Sequence, residues 1–245
     1  MKVLCVIPAR YASTRLPGKP LKDIAGKPMI CRVYDRVIQA NKVSKTIVAT
    51  DDERILTAVR TRGGVAMLTR VDHPTGTDRL AEVAENFPDF ELIINVQGDE
   101  PLVEPMVIDS LVDVFEADSE LKMATVKKLM TDEAEIENPN NVKVVTDKTG
   151  YAMYFSRSVV PYLRNGGCPV YKHIGIYAYK RDFLMDYSKM DSTPLEKSES
   201  LEQLRVLENG YRIKVVETTA KLVGVDTAED LAKVNEIYSE FVNNS

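Results

Sequence analysis

The chain has 245 residues, of which 44% are hydrophobic and 28% charged, with a net charge of −5. This length suits one large α/β domain, and the composition excludes a disordered chain. The acidic balance excludes a general nucleic-acid binder, so any anion site must come from a local cluster of bases.

Val3–Ile7 is an apolar run without alternation, as expected of a parallel strand covered on both faces. It is too short for a signal peptide or a membrane span, and no other run is long enough. Pro28 suits the first turn of a helix, behind which Ile30, Val33, Tyr34, Val37 and Ile38 share one face. Thr46–Ala49 reads as a second strand, and Thr50-Asp-Asp-Glu53 as a capping box opening a helix through Val59. A strand near Val65–Leu68, a helix over roughly Asp78–Glu85, a strand at Leu92–Val96 and a helix at Val107–Phe115 continue the alternation. That order implies right-handed crossovers and a mostly parallel sheet.

After about residue 120 the pattern changes. Met123–Val126, Val142–Thr146 and Tyr151–Phe155 are strands, the last two joined by the hairpin-type turn Asp147-Lys-Thr-Gly150. Tyr171–Lys180 alternates with period two. Ser198–Glu208 and Thr227–Phe241 read as helices around a strand at Ile213–Glu217. Neither a repeat nor a long linker interrupts the chain. The expected form is one α/β domain over residues 1–245, with a mostly parallel central sheet flanked by helices. Residues about 120–215 would contribute a smaller antiparallel lobe. Cys5 falls in a strand, Cys31 in a helix and only Cys168 in a Gly-rich loop, which points to a reducing, cytoplasmic compartment.

Five segments carry chemistry. The loop leaving the first strand places Arg10, Arg15 and Lys19 within ten residues. Such a loop lies where doubly wound sheets bind ligands, and it grips the phosphates of a nucleoside triphosphate unless it is only a solvated surface loop. It is neither a Walker A loop nor G-x-G-x-x-G, so cationic side chains would hold the phosphates. Asn95-Val-Gln-Gly-Asp-Glu-Pro101 ends another strand. Asp99 there is either a magnesium carboxylate or a turn aspartate. Asp226 precedes the last helix; because Thr227 and Asp230 can form the cap, Asp226 can point elsewhere. His173 and Tyr177 share a face of their strand, where a histidine is either packed or a ligand. In Ser192–Arg205 and just beyond it, Leu201, Leu204 and Leu207 form the expected buried stripe, with Glu199, Glu202 and Gln203 on other faces; the glutamates default to solvent. Arg157 follows a strand and can meet an anionic substrate.

Together these segments closely resemble the 3-deoxy-manno-octulosonate (Kdo) cytidylyltransferases. The match runs through IPARYASTRLPGKPL, KPMI, VATDDERI, DHPTGTDRLAE, INVQGDEPL, NPNNVKVV, YFSR, HIGIYAY, SLEQLR and GVDTAEDL, in one order along nearly the whole chain. The resemblance implies a nucleotide-diphospho-sugar transferase-like fold and usually a homodimer. It implies transfer of CMP from CTP to the anomeric hydroxyl of Kdo with Mg2+, releasing pyrophosphate, in lipopolysaccharide biosynthesis. By resemblance, Lys19, Arg10, Asp99 and Asp226 are catalytic, Asp99 and Asp226 holding the metal. Pro8, Ala9, Arg10, Arg15, Lys19, Gly76 and Arg79 bind the nucleotide, with Gly76 and Arg79 at the cytosine. Gln97, Arg157, His173, Tyr177, Glu196 and Gln203 form the sugar-acid pocket. Two stretches depart from the pattern: the loop Leu163–Pro169 is short, and Lys127-Lys-Leu-Met130 is unusually basic. Rival readings are a cytidylyltransferase for 8-amino-Kdo or a sialic-type acid, a glycosyltransferase-like nucleotide-sugar binder, and a non-catalytic nucleotide-binding regulator. No nucleic-acid or membrane partner is expected.

Overall fold

The strand β1 (Val3–Ala9) forms because five successive apolar residues, Val3 to Ile7, are covered on both faces. Burial of each side chain of this size stabilises by about 1.5–3 kcal/mol. The computed structural model describes residues 1–12 and 16–243. Its contacts divide into two compact units, Met1–Asp109 with Lys221–Ser245, and Ser110–Ala220.

In the first unit β1 leads to a 3-10 turn at Lys19–Leu21 and a short ribbon, β2 (Asp23–Ile24) and β3 (Lys27–Pro28). There follow α1 (Met29–Val37), β4 (Lys45–Thr50), α2 (Glu53–Arg60), β5 (Ala66–Leu68), α3 (Gly76–Asn86) and β6 (Leu92–Asn95), and α4 (Pro105–Ala117) begins in this unit and continues into the second. The strand order is β6-β1-β4-β5, every pairing parallel. The chain therefore steps from β1 outward through β4 to β5, then returns to the other side of β1. This reversal creates a topological switch point between the carboxyl ends of β1 and β6. Two local expectations change. The cap of α2 is Asp52, which accepts from Arg54 N at 2.9 Å, because Thr50 is held in β4. Ile38 lies beyond the last turn of α1 and is exposed rather than on its buried face.

The second unit contains β7 (Met123–Met130), α5 (Glu133–Glu137), β8 (Lys143–Thr146), β9 (Ala152–Ser156), β10 (Val170–Lys180), α6 (Arg181–Tyr187), α7 (Pro194–Glu199), α8 (Gln203–Glu208) and β11 (Ile213–Thr218). β10 pairs antiparallel with β7 and β8, and β8 with β9, while β11 joins β7 in parallel. The β8–β9 turn is built as the sequence predicts: Gly150 takes φ 79°, and Asp147 Oδ1 accepts from Thr149 N and Tyr151 N. The Tyr151 N–H and the Thr149 hydroxyl hold the Asp147 carboxyl down at about 2. A bulge between Ile174 and Tyr177 interrupts the simple alternation of β10. The single helix expected over Ser198–Glu208 is instead α7 and α8. Thr193 and Glu196 form a capping box that starts α7 early, and Ser200, at φ 53°, ends it. In consequence Gln203, Leu204 and Val206 are buried while Leu207 is only partly covered.

The chain ends in α9 (Ala228–Asn243), which belongs to the first unit. Val225 and Val234 pack with Leu16, Ile24 and Met29. Asn235 Oδ1 accepts from Ala25 N at 2.9 Å, and Tyr238 donates to Pro101 O at 2.6 Å. These contacts, with Val225 N donating to Asp99 O at 2.9 Å, fix the start of α9 beside the loop that follows β6.

Candidate active site

Both strands at the switch point end in segments that the sequence singles out. β1 delivers Pro8, Ala9 and Arg10; β6 delivers Gln97, Gly98 and Asp99. The two loops touch through Gly98, where a Cβ would lie 2.8 Å from Pro8 O and 3.3 Å from Ile30 Cδ1. Only glycine permits that approach. Beside it lies a cavity of about 390 Å³ lined by Pro8, Ala9, Arg10, Ala12, Lys19, Pro20, Gly76, Gln97, Gly98 and Asp99.

Lys19 is its centre. Gly18, at φ 66°, turns the chain into the 3-10 turn that carries Lys19 inward. The ammonium donates to Asp99 Oδ2 at 2.6 Å, Val225 O at 3.0 Å and Asp226 Oδ1 at 3.1 Å. Asp226 reaches it because the helix cap is made without it: Thr227 Oγ1 accepts from Asp230 N, and Asp230 Oδ2 accepts from Asp226 N and Thr227 N. Burial disfavours the Lys19 charge, but the charges and hydrogen bonds of Asp99 and Asp226 outweigh it, so its pKa is raised. Two carboxylates thus face one positive centre. Magnesium favours one or two carboxylates completed by phosphate oxygens and water.

Arg10 ties this centre to α3. Its Nη2 donates to His73 O at 2.7 Å and Thr75 O at 3.2 Å. Gly76, the first residue of α3, lines the cavity, just after Thr75, whose Oγ1 accepts from Asp78 N in a capping box. Arg15 lies outside the described residues. Arg79, expected at the base, is fully buried; it bonds Thr69 Oγ1 and Asp51 Oδ2, the latter at 2.8 Å, and does not line the cavity. Burial lowers its pKa, with Asp51 opposing. Sequence spacing gave no sign of a stack in which Arg54 lies 3.3 Å from the centre of the Tyr11 ring. Tyr11 in turn packs over Gly18, where a Cβ would come within 3.1 Å of its hydroxyl.

The sugar-acid candidates other than Gln97 lie in the second unit. His173 packs between Phe155 and Tyr177, with ring centroids at 4.9 and 5.3 Å, and its Nε2 lies 2.9 Å from Thr125 Oγ1. Burial pushes its pKa down to about 3, so the ring is neutral. Gln203 is buried with Nε2 unpartnered, a donor that a ligand can satisfy. Arg157 is held by backbone carbonyls at Pro139, Glu199 and Ser200. Glu196 is used otherwise than expected. Both its oxygens bond the Arg205 guanidinium, Oε2 at 2.8 Å, and Oε2 also accepts from Thr193 N. That pairing ties α7 to α8.

A family model described as cytidylyltransferase matches residues 4–214. The chain belongs to the cytidylyltransferase family, whose members are nucleotidyltransferases. It is 59% identical to a 3-deoxy-manno-octulosonate cytidylyltransferase from Fusobacterium nucleatum, with 96% of each chain covered. It is 52% identical to the protein of that name from Geobacter metallireducens, covering 98% of this chain and 99% of that one. Among solved structures it is similar to a CMP:2-keto-3-deoxy-manno-octonic acid synthetase complexed with CTP. There the TM-score is 0.94 at 45% identity, covering 98% and 99% of the two chains. A 4-diphosphocytidyl-2C-methyl-D-erythritol synthase from Anaerococcus prevotii shares the fold at 16% identity, with a TM-score of 0.64.

Proposed function

We infer that this chain transfers CMP from CTP to the anomeric hydroxyl of Kdo, giving CMP-Kdo and pyrophosphate for lipopolysaccharide biosynthesis. The observation that carries the reading is Lys19 Nζ bridging Asp99 and Asp226 beside the switch-point cavity. The named relatives support the identity of both substrates.

Each residue has a part that its chemistry suits. Pro8, Ala9 and Gly76 offer backbone to the cytosine. Arg10, Arg15 and Lys19 bind the triphosphate and neutralise the charge that builds on pyrophosphate as the sugar hydroxyl attacks the α-phosphorus in line. Asp99 and Asp226 would hold Mg2+, which when bound polarises phosphate oxygens and steadies the nucleophile. Arg157 suits the sugar carboxylate, since a guanidinium can bind it through two parallel hydrogen bonds. Gln97, His173, Tyr177 and Gln203 would read the hydroxyl groups, with His173 acting as a neutral ring.

The chain acts in the cytoplasm as a homodimer on this reading. No described helix is long and apolar enough to cross a membrane. The exposed Met153, Tyr162 and Leu163 offer apolar surface for self-association. Sedimentation at micromolar concentration should therefore give twice the mass of the chain. The catalytic assignment is tested by Asp99→Ala and Asp226→Ala. Each should cut turnover by about 10²-fold or more with the far-UV spectrum unchanged. Near-normal turnover in both would sink it.

A further inference from the structure

Lys143 is completely buried, in a motif that the catalytic reading leaves without a purpose. A buried ammonium is tolerated only when its protons are satisfied. Here all three are: Nζ donates to Asn138 O at 3.1 Å, Asn141 O at 2.8 Å and Arg157 O at 2.7 Å. Glu199 supplies an opposite charge nearby. Its Oε1 accepts from Ser156 Oγ at 2.7 Å and its Oε2 from Arg157 N at 2.9 Å. The two charges therefore grip one residue from both sides. The carboxylate holds the N–H of residue 157 and the ammonium holds its C=O.

The side chain of Arg157 is held by the same segments. Nε donates to Glu199 O at 2.7 Å, Nη1 to Pro139 O at 3.2 Å and Nη2 to Ser200 O at 3.4 Å. Pro139 lies between the two asparagines whose carbonyls Lys143 binds. Ser200 is the left-handed residue that ends α7. Each guanidinium nitrogen thereby donates once to a carbonyl, and each terminal nitrogen carries a second N–H with which to meet a carboxylate. An apolar core would secure a loop as well as buried charges do. What charges add is direction, because each bond fixes an angle as well as a distance.

We propose that Lys143 and Glu199 are positioning residues that aim Arg157 at the carboxylate of the sugar acid. The proposal rests on reading Arg157 as the group that binds that carboxylate. Its test is steady-state kinetics of Lys143→Met, Glu199→Gln and Arg157→Ala, and of the first two combined with the third. Lys143→Met should raise KM for Kdo by about tenfold or more, as misaimed contacts do, with KM for CTP within about twofold of the parent. Neither Lys143→Met nor Glu199→Gln should raise it further once Arg157 is Ala, because they act through that residue. An equal further rise in that background, or an unchanged Kdo KM in both single variants, overturns the proposal alone. An unchanged Kdo KM in Arg157→Ala overturns the reading of Arg157 and the proposal with it. If Lys143→Met does not fold, Glu199→Gln decides by the same criteria, since its amide oxygen still accepts from one of the two donors.

Discussion

Lys19→Met separates two effects that usually move together. In the structure the Lys19 ammonium lies where two carboxylates converge, 2.6 Å from Asp99 and 3.1 Å from Asp226. A divalent ion entering without nucleotide must displace it. Hydrogen bonds to charged groups contribute about 1.5–3 kcal/mol each, and the half-exposed Asp226 supplies less than that because solvent screens it. A total of about 2–3 kcal/mol is therefore withdrawn from metal binding in the free protein, or roughly 30- to 150-fold in affinity. Met keeps the length and removes the charge. Lys19→Met should accordingly bind Mn2+ about 30- to 150-fold more tightly in the absence of CTP. Its turnover should fall, since the phosphates lose a cation. Titration followed by electron paramagnetic resonance reads free Mn2+ directly. An affinity equal to or weaker than the parent's would refute the idea that Lys19 and the metal compete for the same carboxylates.

Gly98→Ala pushes a methyl against Pro8 O at 2.8 Å, so urea unfolding should show a loss of about 1–3 kcal/mol, and CTP binding should weaken with it; an unchanged midpoint would contradict the packing. His173 should give the protein an acid-sensitive component. Its pKa is about 3 in the folded protein against an ordinary 6.5 in the unfolded chain, so its contribution is fully present above 6.5 and declines as pH falls toward 3. Between pH 6.5 and 5 that amounts to about 2 kcal/mol, which His173→Gln should abolish in urea titrations at the two pH values. Glu196→Gln breaks a buried pair with Arg205 and should destabilise by about 3–5 kcal/mol while leaving KM for Kdo nearly unchanged. A selective rise in that KM would return Glu196 to the sugar pocket.

The strands were legible because a parallel sheet buried on both faces writes itself as unbroken apolar runs, as in Val3–Ile7. The cap at Thr227 and Asp230 was legible for a similar reason: its chemistry is local, and it correctly left the Asp226 carboxylate for another partner. The sequence paired Asp99 and Asp226 only through a shared metal; their meeting at Lys19 was not legible, because they lie far apart in sequence and come together through the packing of α9. The break at Ser200 was hidden because the leucine stripe Leu201, Leu204 and Leu207 starts immediately beyond it and invites one continuous helix. The pairings of Arg79 with Asp51 and of Glu196 with Arg205 were not legible, for one shared reason. A charged residue inside a family motif looks the same in sequence whether it faces a ligand or locks two helices or a loop together. Distances to Asp51 and Arg205 distinguish the cases, and no spacing rule supplies them.

The proposed activity is tested most directly by a single set of reactions with purified protein, Mg2+ and Kdo, supplied in turn with CTP, UTP, ATP and GTP. Pyrophosphate release and the mass of the sugar product are read together. CMP-Kdo and pyrophosphate should form in equal amounts with CTP, and little of either product with the other three. Pyrophosphate released equally from all four nucleotides, or CTP bound without any CMP-Kdo formed, would contradict it.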